Sequence, residues 1–469
     1  MLGPEGDNHE TAADPPRATV LSGVAEEAVP ALFAGASRGH AGIAAALAEL
    51  QSPAALAATP AFGLTGLGGT EADLTEHSTL HVALEGVSLL AARAVQDSRA
   101  VVSVVPADIS IDQGVADLTG MPAPLRARVT EATLSLHRAY AAFMDRAAPR
   151  VAARDRCSPE AAAPRARALA LGLVPSATRT RVYFSTNARV LSAHCGRLLA
   201  HPLPEVRSAA GAILDAARNV APELFHAVTP SKMRTAAPSE LADAIARLHT
   251  APQEGASATM VISQPVRLIR HDKDALERVM LALAYDACDP TINAFALMGS
   301  LRTAREPALT EMLAKVLRER GPDELPPRGL EASALTFELM VDAATLHDLM
   351  RPRAHTASTQ RFTCRLGFQM PEDLLDLGLA EPYQDAMLAA QAAWAEIEAE
   401  DPAAAEYAVP LGYRVRSLWT VDLRQLVHLI ESRSAKANPM RVRRIAHGLY
   451  RSASNVLPWF RDVPRVDLD

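Results

Sequence analysis

One segment of this chain occurs twice. Residues 409–460 carry Val409-Pro410-x-x-x-Arg414-x-Arg416, then Asp422-Leu423-Arg424, His428, Arg433, Arg441-Val442-Arg443 and Asn455-Val456-Leu457-Pro458. Residues 174–225 carry Val174-Pro175-x-x-x-Arg179-x-Arg181, then Asn187-Ala188-Arg189, Arg197, Glu205-Val206-Arg207 and Asn219-Val220-Ala221-Pro222. The Pro175/Pro410 and Asn187/Asp422 pairs are each 235 residues apart, whereas Arg197/Arg433, Arg207/Arg443 and Asn219/Asn455 are each 236 apart. One residue is therefore missing from the first copy, and the matches place the gap between Asn187 and Arg197. So many matches in order, at nearly constant spacing, define a duplicated domain.

The chain has 469 residues, 49% of them hydrophobic, which suffices for two ordinary domains with their own cores. Residues 1–17 are polar, acidic and proline-bearing, and read as disordered. The first domain is expected over 18–230 and the second over 260–469. Between them, 231–259 is a linker rich in Pro, Ser and Ala. The net charge of −7 gives no basic footprint for nucleic acid. No apolar run reaches 18 residues and the start lacks a signal-peptide pattern, so no membrane span or leader is expected. Cys157, Cys195, Cys288 and Cys364 are far apart with no C-x-x-C, which argues against disulfides or a zinc site. That pattern fits a reducing cytosol, hence a cytoplasmic protein with no metal.

Periodicity predicts a helix over 31–51 and a loop over 52–69. Alternation of Leu80, Val82 and Leu84 predicts a strand, followed by a helix over 89–96. Long helical patterns follow over 122–150 and 158–174. The linker holds a helical piece at 240–248. In the second half, strands are expected at 266–269 and 335–341, and helices at 273–288, 310–320 and 381–398. The Pro of each Asn-Val-x-Pro ends a helix.

Glu76-His77-Ser78 with Gly86-Val87-Ser88, the run His347-x-x-x-Arg351-x-Arg353, and Asp422-Leu423-Arg424-x-Leu426-x-His428-Leu429-x-x-x-Arg433 resemble the flavin-dependent thymidylate synthases. Asn187-Ala188-Arg189-x-Leu191 and Pro222-Glu223-Leu224-Phe225 extend the resemblance, which covers most of 18–225 and 266–460. It implies an α+β fold: two tandem domains of that type, with helices packed on a small antiparallel sheet. It also implies a reaction, transfer of a one-carbon unit to a pyrimidine nucleotide or related heterocycle. FAD would be the cofactor and methylenetetrahydrofolate the donor. By the same resemblance His77, Asn187, Arg189, Arg351, Arg353, Asp422 and His428 are candidate cofactor residues, and Arg197, Arg424 and Arg433 candidate substrate residues. The family is a homotetramer with sites between subunits, so a homodimer of tandem chains would form a pseudo-tetramer.

The chain departs from the family pattern in both copies. The central R-H-R has Pro352 in its middle in the second copy, and reads Gln96-Asp97-Ser98 in the first. The flavin-contacting histidine is Ala332 in the second copy, and the late asparagine is Asp422. Copy one keeps His77, Asn187, Arg189 and Arg197; copy two keeps Arg351, Arg353, Arg424, His428 and Arg433. These sets are complementary, so a single cleft shared by the repeats is expected. Arginine suits such a site because its planar fork binds oxyanions in a bidentate way. Plainer readings stand beside these. His77 caps a strand or faces solvent, His428 sits on an apolar helix face, Arg424 and Arg433 pair with acids such as Glu431, and Asp97 and Asp348 are solvated. The alternative function is a non-catalytic nucleotide-binding or scaffold relative.

Overall fold

The computed structural model describes residues 73–105, 109, 111–232, 264–321, 324–350 and 355–468, with isolated positions at 24–26, 28–29, 32 and 245. The helices expected over 31–51 and 240–248, the loop over 52–69, most of the linker, and Arg351, Pro352 and Arg353 lie wholly or largely outside the described residues.

The first copy runs β1 (Thr79–Ser88), α1 (Leu89–Gln96), β2 (Val102–Val104), α2 (Ala123–Asp155), α3 (Pro159–Ala170), β3 (Arg179–Asn187), α4 (Ala188–Leu199) and α5 (Pro204–Val220). The second runs β4 (Val266–His271), α6 (Ala275–Ala284), α7 (Ala294–Thr303), α8 (Glu306–Arg318), β5 (Ala334–Asp342), α9 (Ala343–Leu349), β6 (Thr356–Thr359), α10 (Ala380–Glu398), β7 (Arg414–Asp422), α11 (Leu423–Ser434) and α12 (Met440–Val456). Each copy is a small antiparallel sheet with helices packed on it. The strand orders are β1-β3-β2 and β4-β5-β7-β6.

The inner strands β3 and β7 are not among the strands expected above, although both alternate cleanly. Thr180, Val182, Phe184 and Thr186 are buried in β3, and Val415, Ser417, Trp419 and Val421 in β7, with the arginines on the other face. Four strands pass straight into helices, and each junction is an N-cap. Ser88, Asn187, Asp342 and Asp422 each accept the backbone N–H three residues ahead. Such caps contribute about 1 kcal/mol apiece. β1 bulges between Glu85 and Val87, where Gly86 has φ 79°, a conformation that favours glycine. The matching β5–β7 ladder runs from Ala334 to Asp342 without a shift. Gly86 is thus the one residue by which the first copy's strand exceeds the second's.

The two copies meet at a pseudo-twofold axis. Pro175 and Pro410 form an antiparallel bridge, flanked by reciprocal backbone bonds. Ser176 N–H donates to the Val409 carbonyl (3.0 Å) and Leu411 N–H to the Val174 carbonyl (2.8 Å). Further out, Ala177 N–H donates to Tyr407 (2.9 Å) and Gly412 N–H to Gly172 (2.8 Å). Each bond maps onto its partner by the 235-residue shift. Buried side chains from both copies join in one continuous core.

The symmetry corrects two sequence alignments. Asn187 and Asp422 cap helices of equal length, 12 residues each. An unbroken helix cannot hide a gap, so the missing residue lies in the connection after α4, not between Asn187 and Arg197. Arg433 therefore corresponds to Leu198, and Arg197 to Ser432. Likewise the shift between α1 and α9 is 254 residues, because Leu89 and Ala343 N–H bond Thr178 and Tyr413 equivalently. Carried forward, it sets Asp97-Ser98-Arg99, rather than Gln96-Asp97-Ser98, against Arg351-Pro352-Arg353.

Candidate functional site: a basic cleft between the repeats

Beside the axis, α9, the end of α11 and the start of α12 face α3 and the turn Leu171–Leu173 of the other copy. Two adjoining clefts of about 490 and 630 Å³ open there, sharing Ala168, Leu171, Ala344, Pro439 and Arg441. Both volumes suit small-molecule sites. Arg167 comes from α3, Arg433 from the last turn of α11, and Arg441 and Arg444 from the start of α12. α12 starts at Met440 without a side-chain cap on its amides. Val442 and Arg443 N–H bond the Pro439 carbonyl, and the positive end of the helix dipole favours anions at this point.

Acids hold these arginines in place. Arg441 donates to Asp348 at 2.5 Å, so Asp348 is paired rather than solvated. Arg444 makes two bonds to Glu372 (2.5 and 2.6 Å), and Arg165 bonds Asp373 at 2.9 Å. These hydrogen-bonded cations keep the Glu372 and Asp373 carboxyls below their usual range. Asp342, on the cleft floor, is pushed up by burial despite bonds from Thr345.

A third cleft, of about 350 Å³, lies between residues 96–99 of copy one and 355–358 of copy two. Arg197 reaches it, donating to the Asp97 carbonyl and lying 3.6 Å from its carboxylate. Arg197 also sits 2.7 Å from His194 Nδ1. Burial, then the neighbouring Arg197 charge, lowers His194 to about 3, leaving a neutral ring to accept that contact. His355 stacks on Trp419 at 4.0 Å. A small gap of about 30 Å³ lies between this cleft and the first, sharing Gln96 and Met350 with one and Ile109 and His347 with the other.

The sequence candidates divide by location. Arg433 and Arg197 line clefts, though different ones. Asn187 and Asp422 are the helix caps described above. Arg189 pairs with Glu76 at 2.9 Å, and Arg424 pairs equivalently with Glu331 at 2.7 Å. Glu431, an expected partner of Arg424 and Arg433, is instead held by Arg320 through two bonds. His77 is exposed beside the Glu76–Arg189 pair. His428 is half-buried on α11, and that burial lowers its pKa. Asn187 and Asp422 stand at the outer ends of nine-residue strands, each about 26 Å long at 3.3 Å per residue. Those strands leave the antiparallel Pro175/Pro410 bridge in opposite directions. Among the described candidates, Arg197 lines the third cleft and Arg433 the first, while Asn187, Arg189, Asp422, Arg424, His77 and His428 line none of the three. Arg167, Arg441, Arg444 and His347 form the cleft instead. The sequence signal for it was the repeat itself, which aligns Glu205 with Arg441.

The inter-repeat cleft is rich in arginine, and the helix at its edge starts without a side-chain cap. The family model described as "Thymidylate synthase complementing protein" matches residues 68–223 and 267–459. The chain belongs to that family. It is 27% identical over 305 residues to the UPF0159 protein of Chlamydia pneumoniae, covering 64% of this chain and 57% of the relative. It is 29% identical over 280 residues to that of Chlamydia muridarum, covering 59% and 52%. The chain thus spans about half the length of the curated relatives it matches. Among solved structures it is similar to the flavin-dependent thymidylate synthase ThyX of Helicobacter pylori complexed with FAD and dUMP. There the TM-score is 0.31 at 16% identity, over 43% of this chain and all of that one. It is also similar to the UMP/dUMP methylase PolB of Streptomyces cacaoi, with a TM-score of 0.32 at 15% identity over 42% and 93%.

Proposed function

We propose that the chain is a divergent flavin-dependent enzyme that transfers a one-carbon unit to a pyrimidine nucleotide or related acceptor held between its repeats. The observation that carries this reading is the convergence of Arg167, Arg433 and Arg441 on one open cleft at the start of α12. Planar guanidinium groups at a helix start match a nucleotide phosphate. Arg99 and Arg197 in the third cleft and Arg433 and Arg441 in the first offer cations for the phosphates of a dinucleotide such as FAD. Bound there, a flavin would supply the hydride for the transferred carbon, with methylenetetrahydrofolate as the carbon donor. The chain's own part is to orient the acceptor by its phosphate and to offer cations to charge that develops on the ring. In a homodimer of tandem chains, His77, Asn187, Arg189, Asp422, Arg424 and His428 would meet the clefts of the partner as cofactor or substrate contacts. That arrangement would make a pseudo-tetramer.

A second reading, a non-catalytic nucleotide-binding protein, is favoured by the Arg189–Glu76 and Arg424–Glu331 pairs, which satisfy those arginines internally. The visible spectrum of the purified chain, taken after FAD addition and desalting, separates the two. Retained flavin absorption followed by turnover of dUMP with a one-carbon donor supports the enzyme. A colourless protein that still binds dUMP supports the second reading. Absence of both refutes the nucleotide assignment.

A further inference from the structure

The pseudo-twofold axis generates a second cleft from the open one, and that second position is filled. Where the open cleft has Gly172, Arg433 and Arg441, its counterpart has Tyr407, Leu198 and Glu205. Tyr407 is 1% exposed and Leu198 2%, whereas Arg433 and Arg441 line open space and Gly172 lies on the cleft wall against the buried Tyr383 hydroxyl. The Glu205 carboxylate accepts the Ser88 N–H (2.7 Å) and the Ser88 hydroxyl (2.6 Å), and it lies beside the Tyr407 hydroxyl. Next to it Glu406, counterpart of Leu171, accepts the Phe362 N–H at 3.0 Å. Arg93, counterpart of His347, lies 5.0 Å over the Phe362 ring, close to Glu406.

We propose that Tyr407, Glu205 and Glu406 form an internal plug that occupies the dyad-related site, so that each chain carries one anionic-ligand site rather than two. Glu205 stands where an incoming anion would otherwise meet Arg441, Leu198 replaces the Arg433 cation, and Glu406 adds a second carboxylate beside them. An anion is thereby refused on charge as well as on space. Glu205 faces Ser88, Tyr407 and Asp117; Glu406 faces Arg93, Arg361 and the Phe362 amide. The inference rests on the nucleotide reading only for the identity of the ligand.

Two measurements test it. Calorimetric titration with dUMP should give one site per wild-type chain and two per Tyr407→Gly/Glu205→Arg chain. Two sites in the wild type would overturn the plug. So would a single site in a double variant that keeps the wild-type circular dichroism. The second measurement needs no ligand. Burial raises both carboxyls above their unfolded pKa, so the folded chain binds more protons than the unfolded, and stability falls as pH rises through the folded values. Glu205→Gln and Glu406→Gln should each flatten the fall in Tm as pH rises above the ordinary glutamate range, whereas Asp348→Asn in the open cleft should not. Unchanged slopes in both Gln variants would overturn the plug whether or not dUMP binds. Flattened slopes without dUMP binding would leave the plug standing and remove the nucleotide reading.

Discussion

Replacing Gly172 with alanine tests how tightly the two copies are fitted at the axis. A Cβ there would lie 2.1 Å from the Tyr383 hydroxyl and 3.2 Å from both Tyr383 Cζ and Gly412 Cα. Tyr383 is fully buried on α10, so it cannot swing into solvent to relieve the contact. Overpacking of this kind costs about 1–3 kcal/mol. The reduced freedom of the unfolded chain returns up to about 1 kcal/mol, since Gly172 has no positive φ. A net loss of about 1–2 kcal/mol is expected. Tyr383→Phe removes the clashing oxygen, whose one hydrogen bond is a long 3.4 Å contact to the Gln369 carbonyl. That change alone should cost under about 1 kcal/mol. In the double variant the nearest atoms are 3.2 Å away, so most of the Gly172→Ala penalty should vanish, giving a coupling of at least about 1 kcal/mol. Urea unfolding of the four proteins, followed by tryptophan fluorescence, measures it. Additivity within about 0.3 kcal/mol would refute the packing argument.

Arg433→Ala and Arg441→Ala should each weaken dUMP binding by about 1.5–3 kcal/mol, the worth of a charge-assisted hydrogen bond, or roughly 10- to 150-fold in Kd. Calorimetry on both variants decides, and unchanged affinity in each would remove them from the site. Arg197→Ala, in the third cleft, should instead reduce flavin retention after desalting. Asn187→Ala and Asp422→Ala should each lower unfolding stability by about 1 kcal/mol through loss of the cap. A much larger drop in denaturant melts would show that these residues do more than start their helices.

Much of the architecture was legible because the duplication is. The strand at 79–88 and the long helices on either side of the repeat follow from period-two and period-3.6 patterning. The inner strands were equally patterned, with Val182, Phe184, Val415 and Trp419 alternating inward. The Arg-x-Arg pairs on their outward faces read only as markers of the repeat. The site was harder to read, because motif matching selects residue identity and a cleft depends on direction. Arg197 and Arg433 look equivalent in one dimension, yet a one-residue change of helical register turns them by about 100° and sends them to different clefts. Arg189 and Arg424 match the family pattern well, but Glu76 and Glu331, distant in sequence, take them up. Arg441 was visible as the charge-reversed partner of Glu205, and no single copy by itself marks that contrast as meaningful.

The reciprocal hydrogen bonds around Pro175 and Pro410 have an evolutionary corollary. In an assembly of identical subunits, one codon change alters every symmetric position at once, so a substitution that closes one pocket closes them all. A tandem gene removes that constraint. Gly172 and Tyr407 are inherited as separate letters of one reading frame, and one half is free to lose its opening while the other keeps it.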